Sequence, residues 1–162
     1  MFFSALARFI PSARPLLAAV LGATSTTLAA ASPAPASDSA FAASAKFETE
    51  NYVVEIAAAD PFKVGVAGTA KVTLTTKGVY HINPQYPYRF KAAAPPSGLS
   101  YPKPVLQRGD GQFEEKRAVF NLPFVADHAG KFNVGGTLHM SVCSSGNCLV
   151  EKPALDVTVT VQ

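Results

Sequence analysis

The sequence predicts an all-β fold, a two-layer antiparallel sandwich, on three observations. Between Lys46 and Gln162 the apolar residues recur mostly at every second position, in short runs broken by Gly, Pro and Asn. No window of helical length in that region carries a 3.6-residue period. Two segments, Lys71 to Thr76 (KVTLTT) and Asp156 to Val161 (DVTVTV), alternate cleanly, so each is expected to bury one face and to show Lys, Thr or Asp on the other.

Taken in chain order, the first element is an export signal. Arg8 and Arg14 precede an acid-free apolar run from Pro15 to Gly22, and small residues follow from Ala23 to Ala36. The apolar run falls short of the about 20 residues that a membrane-spanning helix needs, so it is expected to be removed, leaving no membrane anchor. Small residues suit cleavage before Ser32 or before Ser37, giving a signal of 1–31 or 1–36. The absence of cysteine there excludes a lipoprotein anchor. Residues 32–45, rich in Ser, Ala and Pro, are expected to form a flexible leader, and residues 46–162 a single folded domain in a periplasmic or secreted setting.

Within that domain the expected strands are Tyr52 to Ala57, Ala70 to Thr76, Val79 to Ile82, Tyr88 to Ala92, Ala118 to Phe124, Lys131 to Val134, Thr137 to Val142 and Leu155 to Val161. Turns are expected at Lys77-Gly78, Gly109 to Gly111, His128 to Gly130 and Gly135-Gly136, where glycine permits positive φ or low-cost bends. The Pro-rich stretch from Ala93 to Pro104 lacks ladder donors and is expected to be a surface connection. About seven to eight short strands in about 115 residues suit an immunoglobulin-like sandwich, with a small closed barrel as the alternative.

The raw charge misleads about partners. Two of the 14 Lys and Arg residues lie in the signal, leaving 12 against 11 acidic residues, so the mature chain is near neutral. No basic stripe with interleaved aromatics is evident, and nucleic acid is not an expected partner. Hydrolytic chemistry has no support either, because no Gly-x-Ser-x-Gly elbow, paired-carboxylate pattern or phosphate-binding glycine loop occurs. Glu114 to Arg117 is expected to be a solvated strand entry.

The candidate chemistry lies in the two cysteines, Cys143 and Cys148, which flank Ser-Ser-Gly-Asn after a strand and are placed to face each other across a tight turn. A structural staple is the ordinary role of such a pair in an exported domain. Chain-entropy accounting nevertheless gives about 2 kcal/mol for so short a loop, against nearly 5 for a loop of about a hundred residues. Local, exposed disulfides are the ones that exchange readily, so redox cycling stands beside the staple. A Cu(I) site is a third option, since His139 and Met140 lie close in sequence to both thiols. Strand alternation sends His139 and Met140 to opposite faces, so only one could join the thiols. No metal and no cofactor is expected. His81 and the pair Tyr86 and Tyr88 have ordinary structural explanations as a strand-edge residue and as cover for one end of a sandwich.

The order of these features resembles the N-terminal periplasmic domain of the thiol:disulfide interchange protein DsbD and its stand-alone relatives. The likeness rests on Lys77-Gly-Val-Tyr-His-Ile-Asn83, the Pro-rich link through Gly98 to Pro102, Asn121-Leu-Pro-Phe124, and Gly136 to Cys143 followed across four residues by Cys148 and a valine-rich strand. It implies an immunoglobulin-like sandwich acting as a protein thiol-disulfide oxidoreductase. Cys148 would form the mixed disulfide and Cys143 would resolve it, between a membrane thiol:disulfide reductant and exported thiol proteins. It also implies a loop covering the cysteines, here within Lys103 to Gly111. That segment departs from better-known members, which carry an acidic pair and an aromatic cap there, because it offers only Asp110, Val105 and Leu106. The sequence also ends with the domain, so the reductant is expected to be a separate protein.

Overall fold

The structure, a computed structural model, describes residues 43–162. The expected signal peptide and residues 32–42 of the expected leader lie outside the described residues. Twelve strands occur among the described residues: β1 (Ala43–Glu48), β2 (Tyr52–Ala58), β3 (Gly68–Thr76), β4 (His81–Ile82), β5 (Arg89–Ala92), β6 (Leu99–Ser100), β7 (Val105–Gln107), β8 (Gly111–Phe113), β9 (Arg117–Ala126), β10 (Gly130–Cys143), β11 (Cys148–Glu151) and β12 (Ala154–Val161). They build two antiparallel sheets. The first runs β1-β2-β3-β9-β6, with β8 also on β9; the second runs β11-β10-β5-β7, with β12 and β4 also on β10. This is the immunoglobulin-like sandwich that the apolar spacing predicts.

The period of two does the sorting. In β3 the residues Ala70, Val72 and Leu74 are buried while Thr69 and Thr75 are exposed, and in β12 Leu155, Val157, Val159 and Val161 are buried between exposed Ala154, Asp156 and Thr158. Phe90 and Leu138 from the second sheet meet Phe120, Phe124 and Leu74 from the first in one core. Full burial of each such side chain contributes roughly 1.5–3 kcal/mol, which fixes the register of every strand that carries one.

Three sequence expectations are corrected. Gly135-Gly136 is not a turn, and Lys131 to Val134 and Thr137 to Val142 are one strand, β10. The two glycines are there because neighbours press in from both sides. A Cβ on Gly135 would sit 2.2 Å from the Leu155 carbonyl oxygen of β12, and one on Gly136 would sit 2.2 Å from the Lys91 carbonyl oxygen of β5. Second, β1 starts at Ala43, three residues inside the expected leader, and pairs along β2 from Ala43 opposite Ala58 to Glu48 opposite Val53. Third, the strand count exceeds the expected seven to eight, because β6, β7, β8 and β11 are two to four residues long and fall in segments with little strand signal of their own.

The Pro-rich segment is more than a surface connection. After β5 in the second sheet the chain crosses to the first sheet as β6, pairing Leu99 with Ala126, returns to the second as β7, and crosses again as β8. Gly98, at φ 84°, makes the first crossing possible.

Candidate functional site

Cys143 closes β10 and Cys148 opens β11, and a disulfide joins them. Their Cα atoms are 4.0 Å apart and they are direct cross-strand partners. The turn sets this up. Ser144 N–H donates to the Asn147 carbonyl at 2.8 Å, making 144 and 147 a hydrogen-bonded pair, so the next pair outward is the close, non-hydrogen-bonded kind in which side chains approach most nearly. The Ser144 hydroxyl and the Gly146 N–H complete the turn.

The two sulfur-bearing residues are unequal. Cys143 is only 7% exposed, whereas Cys148 is exposed. The asymmetry follows from position: Cys143 has β4 on its far side and Cys148 belongs to β11, the last strand of the sheet at that end.

The strand on that far side brings up a residue to which the sequence gives no chemical role. His81 of β4 is the direct partner of Cys143, so Cys148, Cys143 and His81 form one row across three strands, with side chains on the same outward face. The segment carrying His81 is held firmly. The Ile82 N–H donates to the Glu115 carbonyl, and the Lys116 ammonium donates to the carbonyls of Gly78 and Tyr80. Glu114 to Arg117 is thus the exposed strand entry expected, with the added task of bracing the Gly78 to Tyr80 loop. Asn83 then ties the chain to β10 just below the disulfide. Its side-chain amide donates to the Ser141 hydroxyl, and its N–H donates to the Tyr88 hydroxyl, which itself donates to the Ser141 carbonyl. Tyr88 is buried and Tyr86 packs edge-on against it, so both are structural, as the sequence suggests.

The segment Lys103 to Gly111, where a covering loop is expected, contains a short strand and a turn. Its strand β7 pairs with β5, and its 3-10 turn, Arg108 to Asp110, sets the Arg108 guanidinium over the rings of Phe113 and Tyr88. Asp110 is held by Lys103 at 2.5 Å and by the Gln107 N–H, which together hold its carboxyl below the ordinary range. Through β5, Gln107 is in register with His139, four residues and so about 13 Å along β10 from Cys143. The residues beside the cysteines are those of β4.

That same spacing bears on the third sequence option. Met140 is fully buried in the core, while His139 points outward, about 13 Å from the thiols along the strand. His139 stands instead between Arg89, its partner on β5, and Lys152. Burial first, then Lys152, Arg89 and Lys91, push its pKa down. Among the described residues no three of His, Cys, Asp and Glu are grouped as metal ligands would be.

No protein-family model and no curated protein matches the sequence. Among solved structures the chain is similar to a cohesin module from the family 33 glycoside hydrolase of Clostridium perfringens, at 15% identity and TM-score 0.41, over 70% of this chain and 100% of that one. It is also similar to AggA, the major subunit of aggregative adherence fimbriae type I from Escherichia coli, at 12% identity and TM-score 0.34, over 71% and 98%. At these values neither neighbour bears on function. No described helix is long and apolar enough to cross a membrane.

Proposed function

We propose that this is an exported thiol-disulfide exchange domain in which the Cys143–Cys148 bond cycles. The observation that supports the reading is the unequal exposure of the two sulfurs at the end of one sheet. In the reduced form the Cys148 thiolate attacks a sulfur of a partner's disulfide, giving a mixed disulfide and one partner thiolate. The Cys143 thiolate then attacks the Cys148 sulfur, releasing the second partner thiolate and closing the intramolecular bond. The partner gains two electrons and the domain loses two, which an external membrane dithiol returns by the reverse exchange. The likeness to the DsbD N-terminal domain supports the same division of labour. His81, the cross-strand partner of Cys143, adds a polar side chain to the row that a partner protein would meet. The export signal expected from the sequence supports a periplasmic or secreted setting.

Trapping tests this directly. A Cys143→Ala variant expressed with its signal is expected to accumulate as a dithiothreitol-sensitive mixed disulfide through Cys148, while Cys148→Ala is not. Equal behaviour of the two variants, or no adduct with either, rules the mechanism out. A second reading, a non-catalytic binding module with a structural disulfide, is favoured by the cationic row around His139. It requires the Cys143→Ala, Cys148→Ala double variant to keep every cellular activity.

A further inference from the structure

We infer that the outer face of the second sheet binds an acidic polypeptide segment, one of whose carboxylates seats between Arg89 and Arg108. A cavity of about 280 Å³ opens there, lined by Pro87, Tyr88, Arg89, Gln107 and Arg108. It is smaller than the about 300–1,000 Å³ of pockets that enclose drug-sized molecules, and suits a single side chain.

Neither guanidinium group is neutralised by an acid among the described residues. Arg108 is fixed over Phe113, at 4.4 Å from its centroid, and over Tyr88, at 5.6 Å, and its Nη1 is buried without a hydrogen-bond partner. Neither Arg89, Arg108 nor Lys152 has an ion pair among the described residues. The nearby acids are turned to other work. Asp110 is committed to Lys103 and the Gln107 N–H, and Glu151, the cross-strand partner of the inward-facing Met140, lies on the opposite face of the sheet from His139. Asp156 shares the outward face but stands opposite Gly135, four residues from His139 along β10. Burial first, and then Lys152, Arg89 and Lys91, push the His139 pKa down, with no acid acting against them.

The shape of the charge selects a chain over a single ion. Gln107, Arg89 and His139 are direct partners across β7, β5 and β10, and Lys152 follows at the turn into β12. At roughly 4.8 Å per strand spacing the row is about 14 Å long, the reach of about four extended residues. Guanidinium pairs bind carboxylates through two parallel hydrogen bonds, which suits Glu or Asp side chains presented in series. No aromatic ring is exposed along the row for bases to stack on, since Tyr88 is buried, so nucleic acid is disfavoured.

The test is a fluorescence-anisotropy titration of the whole folded domain with a labelled hexaglutamate peptide, at low salt and at about 0.15 M. Saturable binding that weakens with salt is expected. Arg89→Gln and Lys152→Gln, both at exposed positions that leave the core intact, are each expected to weaken it by about tenfold, and Arg117→Gln on the other sheet to leave it unchanged. Absence of binding, or equal loss in all three variants, overturns the inference. Binding of a single-stranded oligonucleotide as tight as that of hexaglutamate overturns the assignment to an acidic polypeptide. The Cys143→Ser, Cys148→Ser double variant is expected to bind the peptide as the parent does, so the result stands whatever the disulfide does. Loss of binding in that variant overturns the claim that the row acts by itself.

Discussion

Two rows of side chains cross the outer face of the second sheet, both centred on β10 and about 13 Å apart along it. The upper row is Cys148, Cys143 and His81; the lower is Lys152, His139, Arg89 and Gln107. They differ in what holds them. A covalent bond and a braced two-residue strand make the upper row rigid and chemically specific. The lower row is held by sheet register alone, and its like charges repel. A row of repelling groups kept in register costs stability unless something outside the chain neutralises it, so one strand carries a disulfide at its end and an uncompensated cationic surface at its middle.

The strand that carries both rows is the largest lever. Gly136→Ala puts a methyl group against the Lys91 carbonyl of β5, and overpacking against backbone cannot relax by a rotamer change. A loss of more than about 3 kcal/mol in urea unfolding is expected, with both thiol exchange and peptide binding lost together. A loss under about 1 kcal/mol would show that the strands are not pinched there.

Separating the rows is gentler. The Cys143→Ala, Cys148→Ala variant is expected to lose about 2 kcal/mol in the same assay while the lower row keeps its ligand. Tyr88→Phe removes one of two partners from each of the Asn83 N–H and the Ser141 carbonyl, which still bond each other, and about 0.5–1.5 kcal/mol is expected to go. His81→Gln is aimed at chemistry only. The rate of Cys143 alkylation in the reduced protein is expected to fall as the imidazole is lost, with unfolding nearly unchanged, and an unmoved rate would make His81 a bystander.

The smallest effect concerns pH and the lower row. The folded state holds the His139 pKa below its ordinary 6.5, so the unfolded chain takes up that proton more readily. Stability is therefore expected to fall as pH drops through 6.5 and on toward the depressed folded value. Burial, the largest cause, remains in Lys152→Gln, as do Arg89 and Lys91, so the loss of one repelling charge should shrink the slope in this range without abolishing it. A slope that is unchanged or steeper in the variant would contradict the assigned cause. Saturating hexaglutamate should shrink the slope in the parent protein as well.

How much of this can be read from the chain follows from what is local. The alternation of β3 and β12 reflects burial of one face and is visible residue by residue, and the disulfide needs only a six-residue turn. The Gly135-Gly136 pair misleads because glycine is selected by close neighbours as well as by turns, and the neighbours, Leu155 and Lys91, are about 20 and 45 residues away in sequence. Strands β6, β8 and β11 form because the long β9 and β10 offer them hydrogen-bonding edges, and β7 forms on the edge of β5. His81 meets Cys143, and Arg89 meets His139, only because the chain bulges out at 83–88, between β4 and β5, and so shifts the two pairings relative to each other. Neither row can be assembled from spacing alone.

The most direct test of the exchange mechanism is the redox equilibrium of the mature domain in glutathione and dithiothreitol buffers, read as free thiols after acid quenching. A potential in the range of exchanging proteins, roughly −120 to −270 mV, is expected; a value far below about −300 mV would mark a permanent bond and contradict the proposal.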